Sequence, residues 1–127
     1  MKFAIQLLQK PEGIWQNEPD FYVEYSGDYV LMIRRHPRYG YLCGYVGVPA
    51  SHKLFGKNTD AFVHGGITFA NNWDEISEGF YPEGTWFFGF DCGHSADLKP
   101  FDVEPKTIYR DFNYVLHETR KLAKQLA

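Results

Sequence analysis

The chain has 127 residues, enough for one domain that buries roughly two-thirds of its unfolded surface. Its 44% hydrophobic and 18% aromatic content excludes a disordered chain, and a net charge of −3 excludes the molecule-wide basic field of a nucleic-acid binder. A single domain over 1–127 is expected, with no polynucleotide partner.

In chain order, "MKFAIQLLQKPEG" opens with an apolar run broken by Pro11 and Gly13, which suits either a short strand or a helical turn. It is too short and interrupted for a secretory signal, and no run reaches the roughly 18 apolar residues that span a bilayer. No membrane partner and a cytoplasmic location are expected, so Cys43 and Cys92 read as free thiols.

"FYVEYSGDYVLMIRRHP" reads as a hairpin whose three-residue loop is Ser26-Gly27-Asp28. "YGYLCGYVGVP" gives another strand, ended by Pro49. After the polar loop 51–60, "AFVHGGITFA" gives a further strand, and a loop with Asn71, Asn72, Gly79, Pro82 and Gly84 leads into "TWFFGFDC". The period then changes: Ile108, Phe112, Val115, Leu116, Thr119, Leu122, Ala123 and Leu126 mark one face of an amphipathic helix. Asp111 falls in its first turn and Arg120, Lys121 and Lys124 near its end, as the helix dipole favours. The expected fold is α+β: a mainly antiparallel sheet of about five strands packed by the C-terminal helix, its other face free for a pocket or a dimer interface.

Chemistry gathers in "WFFGFDCGHSADLKP". Alternation puts Trp86, Phe88, Phe90 and Cys92 on one strand face and Phe87, Gly89 and Asp91 on the other. The same rule gives His64 a face with Gly66 and Thr68, and Cys43 one with Tyr41, Tyr45 and Gly47. Gly44, Gly47, Gly65, Gly66, Gly89 and Gly93 imply either strongly coiled strands or the floor of a cavity.

Asp91, His94 and Asp97 have a spacing that suits a divalent ion, but such short spacings arise by chance. Turn capping by the two aspartates is the simpler reading, and no metal is assigned. Cys92 with His64 or His94 would suit a nucleophile and base, and the two histidines an acid and base pair on a phosphoester. Were the protein an enzyme, His64, Asp91, Cys92 and His94 would be the catalytic candidates. Arg34 and Arg35, with His36, Arg38, His52, Lys53 and Lys57, form local basic groups that suit phosphate. Tyr39, Tyr41, Tyr45, Trp73, Tyr81 and Trp86 lie near them as rings on which a base would stack.

The blocks "LCGYVGVP", "VHGGITF", "WFFGFDCGH" and "YRDFNYV" resemble a group of small bacterial and phage proteins, over about residues 30–126. The resemblance carries no established activity. It implies that His64, Asp91, Cys92 and His94 lie in shared blocks, and it is compatible with a phage source. By analogy, small phage proteins with compact pockets include those that sequester host immune signalling nucleotides.

The expected function is therefore binding of a small anionic, nucleotide-like ligand by His64, Asp91, His94, Asp97, Arg34, Arg35, Tyr45 and Trp86, with a homo-oligomer expected to frame the pocket. The alternative is a small metal- or histidine-dependent hydrolase of a phosphoester or related bond. No P-loop, nucleophile elbow or zinc-protease helix is present, and no cofactor is specified.

Overall fold

The computed structural model describes residues 12–73 and 79–127. The expectation for the opening apolar run lies mostly outside the described residues, as does part of the loop before the last strand. Five strands, β1 (Phe21–Ser26), β2 (Tyr29–Arg35), β3 (Leu42–Val48), β4 (Phe69–Asn72) and β5 (Trp86–Asp91), form one antiparallel sheet in the order β1-β2-β3-β5-β4. Helix α1 (Phe112–Leu126) packs across β2 and β3, which makes the fold α+β. No helix among the described residues is long and apolar enough to cross a membrane.

Strand parity decides what each face carries. Leu31 and Ile33 of β2, Leu42, Val46 and Val48 of β3, and Phe88 and Phe90 of β5 join Val115, Leu122 and Leu126 of α1 in the main core. Each such side chain, fully buried, contributes about 1.5 to 3 kcal/mol. Gly44 lets the helix approach: a Cβ there would lie 2.2 Å from Thr119 Oγ1. On the opposite, open face a smaller cluster of Val30, Met32, Tyr81 and Phe87 packs with Tyr45, Phe69 and Trp73.

Four expectations need correction. Ser26 pairs with Tyr29, so the hairpin loop is the two residues Gly27 and Asp28. Gly27, at φ 58, occupies the first central position, which a II′ turn reserves for glycine. Second, the strand expected over 61–70 begins only at Phe69, because Gly65 and Gly66 both take left-handed backbone (φ 69 and 79). Residues 61–68 are a loop, and His64 has no sheet face. Third, Asp111 is the helix cap, its side chain accepting the Tyr114 amide at 2.8 Å, while Ile108 lies outside the helix and is 59% exposed. Fourth, of the two alternatives for the strand glycines, the cavity floor is ruled out at Gly44, Gly47 and Gly89, where neighbouring side chains occupy the space. A Cβ on Gly89 would lie 2.4 Å from the Tyr45 ring, and one on Gly47 2.7 Å from the Phe87 ring.

Candidate functional site

Loop 61–68, the turn after β5 and the start of α1 meet at one end of the sheet. There Asp97, almost fully buried, receives three groups. His64 Nε2 lies 3.0 and 2.9 Å from its two oxygens, Arg110 Nε donates at 3.0 Å, and the His94 amide donates at 3.1 Å. The other His64 nitrogen, Nδ1, lies 2.8 Å from the Tyr114 hydroxyl, and the His64 amide donates to Glu118 Oε1 at 2.8 Å. Lys121 balances the other Glu118 oxygen at 3.1 Å. Burial works to raise the Asp97 carboxyl pKa, but the bonds from His64, Arg110 and the His94 amide outweigh it and hold it below the usual carboxylate value. This clasp pins the glycine loop to the helix.

Asp91 stands beside the clasp at the end of β5. Its oxygens accept the Gly93 amide at 2.9 Å and the Thr68 hydroxyl at 3.0 Å, a turn-capping pattern. His94 Nε2 lies 3.5 Å from Asp91 Oδ1 and makes no hydrogen bond among the described residues. Gly65 comes so close to it that a Cβ there would lie 2.2 Å from that nitrogen. The His64 and His94 ring centroids are 6.0 Å apart. Among the described residues no group of three or more His, Cys, Asp or Glu side chains is placed to hold a metal ion.

From Asp91 the sheet leads to a second surface. Asp91 pairs in register with Cys43, Cys43 with Arg34 and Arg34 with Phe21, so these four form one row on the open face. Beside that row stand His36, Tyr39 and Tyr41. The two tyrosine rings are parallel within 6° at 6.3 Å, and the His36 ring is 5.3 and 4.8 Å from them. His36 Nδ1 accepts the Arg38 and Tyr39 amides, which leaves the neutral ring's proton on Nε2. Burial, then the Arg34 cation, lowers its pKa. Arg38 lies over the Tyr39 ring at 5.3 Å, and Arg34 over Trp73 at 4.8 Å. The Tyr41 ring rests on Gly93, where a Cβ would approach it to 2.5 Å, so this ledge joins the clasp through that glycine. Burial pushes the Tyr41 hydroxyl up to about 12.

The remaining candidates lie elsewhere. Arg35 is buried on the helix side, where it bonds Asp20 at 2.6 Å, Glu18 at 3.3 Å, the Gly40 carbonyl at 2.7 Å and the Tyr109 hydroxyl at 3.0 Å. Glu18 also accepts the Phe112 amide at 2.8 Å, so Arg35 anchors the start of α1. Tyr45 is packed over Gly89 and against Phe69 and Trp73. Trp86 faces Phe55 on the helix side and donates to the Lys57 carbonyl at 2.9 Å. Cys92 lies in the main core, 1% exposed, and burial raises its thiol pKa. A buried, protonated thiol is a poor nucleophile.

Sequence reasoning missed Arg110, Tyr114 and Glu118. Glu118 had a signal, since it stands three residues after Val115 and four before Leu122, within the buried stripe. Comparison with protein-family models, curated proteins and solved structures finds no match to this chain.

Proposed function

We propose that this protein binds a small anionic, nucleotide-like ligand, and that the ledge of Arg34, His36, Arg38, Tyr39 and Tyr41 receives it. One observation carries the reading. Of the five arginines in the sequence, Arg35, Arg110 and Arg120 pair with carboxylates, whereas among the described residues Arg34 and Arg38 have only aromatic rings as partners. Arg38 lies over Tyr39 of the ring group, and the charges of both Arg38 and Arg34 act on His36 within it. Guanidinium forks suit phosphate oxygens, and each base stacked on a ring contributes about 1 to 3 kcal/mol. The clasp has the supporting role of holding loop 61–68 and the β5 turn beside the ledge.

The hydrolase alternative is less well supported, because both ring nitrogens of His64 are already engaged. The resemblance to phage proteins makes an immune signalling nucleotide the ligand to test first. Adenosine monophosphate and a cyclic dinucleotide would be titrated calorimetrically into the protein and into Arg34→Ala and Arg38→Ala variants, with the recovered ligand weighed by mass spectrometry. At least one nucleotide is expected to bind, each variant to bind it about tenfold more weakly, and the ligand to return intact. Affinity unchanged in both variants, or no binding at all, overturns the ledge reading. An altered product favours the hydrolase.

A further inference from the structure

Two hollows lie at the other end of the sheet, on either side of the Gly27–Asp28 turn. We propose that one of them is a separate binding site for a small organic cation, an alkylammonium or quaternary ammonium group. Its volume of about 480 Å³ falls within the range of small-ligand sites. Tyr25 and Tyr81 line it on the open face, and both hydroxyls donate to backbone carbonyls. Tyr25 donates to Phe80 at 2.7 Å and Tyr81 to Trp73, whereas Tyr29, also at the hollow, turns its ring to the helix side, where it donates to Leu126 at 2.9 Å and meets His52. The phenol protons are thus committed, which leaves the exposed Tyr25 ring, with the mostly buried Tyr81 as the second lining tyrosine on that face, to meet a ligand.

The charge of the lining selects the ligand. Among the described residues, Asp28 and Glu83 are the only charged ones that line it, and neither has an ion pair there. Tyrosine rings attract a cation through their quadrupole, and the two carboxylates add the opposite charge. An anion would meet like charge and no donor cation. The second hollow differs: Arg120 and Lys124 line it beside Glu24 and Asp28, so its charges are mixed and it offers a cation no such preference. The cation site is also independent of the ledge, since no ledge residue lines it.

The test uses choline and its uncharged isostere 3,3-dimethylbutan-1-ol, titrated into the full chain while tyrosine ring resonances are followed by NMR. Choline is expected to shift Tyr25 and Tyr81 saturably and to bind about tenfold more tightly than the isostere. The double variant Asp28→Asn, Glu83→Gln removes two exposed charges without touching the core. It should melt as the parent does and lose most of that preference. Absence of saturable shifts, equal binding of the isostere, or an unchanged preference in the double variant overturns the proposal.

Discussion

Arg34 and Arg35 are neighbours in β2, yet strand parity sends them to opposite sides of the sheet and into opposite conditions. Arg35 is enclosed by two carboxylates, a carbonyl and a phenol on the helix side. Arg34 lies on the open face against the ring of Trp73, in the row that ends at Asp91. The clasp around Asp97 belongs with Arg35, and the ledge around His36 belongs with Arg34. A buried charge that loses its partner keeps its desolvation cost, whereas a half-exposed cation on a ring still has water on its free side. The helix side should therefore report substitutions as stability, and the ledge as binding.

Asp97→Ala should give the largest effect. It leaves Arg110, His64 and the His94 amide without their shared acceptor, and breaking a buried pair in this way costs about 3 to 5 kcal/mol. Urea unfolding at neutral pH measures it. A loss below about 1 kcal/mol would place Asp97 with the ledge and break the comparison. Gly44→Ala tests the same side by packing. The new methyl would meet Thr119 Oγ1 at 2.2 Å and Phe90 Cε1 at 2.6 Å, so overpacking should cost about 1 to 3 kcal/mol in the same assay.

Acid sharpens the contrast further. The folded-state pKa of Asp97 is depressed, so its contribution is fully present above the unfolded value of about 4 and is lost as pH falls through the folded value. Asp97→Asn lacks that ionisation. The stability gap between parent and Asp97→Asn should be widest near neutral pH and narrow progressively below about pH 4. Urea midpoints taken from pH 7 to pH 3 would show this. A gap constant with pH would mean that the carboxylate charge does not support the clasp.

Much of the fold was legible because burial imposes a period. The stripe Val115, Thr119, Leu122 and Leu126 marks α1, and the aromatic and β-branched runs mark β1, β2, β3 and β5. Residues 61–68 misled because Ala61, Phe62, Val63, Ile67 and Thr68 have strand composition, while the left-handed backbone at Gly65 and Gly66 decides the path. That same turn brings His64 to Asp97, a contact across 33 positions that no local pattern encodes. Arg110 was hidden for a similar reason, since its direction depends on where the chain enters α1. The division between Arg34 and Arg35 was readable from parity alone, although the two stood together in sequence as a single basic cluster.

The smallest expected change in stability is on the ledge. Arg38 is exposed and Arg34 half-buried, and each touches only an aromatic ring among charge-bearing or ring partners. Exposed cation and ring contacts contribute about 0.5 to 1 kcal/mol, so Arg38→Ala should lower stability by no more than that, and Arg34→Ala only slightly more. Asp97→Ala and Arg38→Ala differ in the same unfolding assay by several-fold on these expectations, although each removes one charge. A large loss in Arg38→Ala would mean that the ledge is built into the fold as tightly as the clasp, and its guanidinium would no longer be free to meet a ligand.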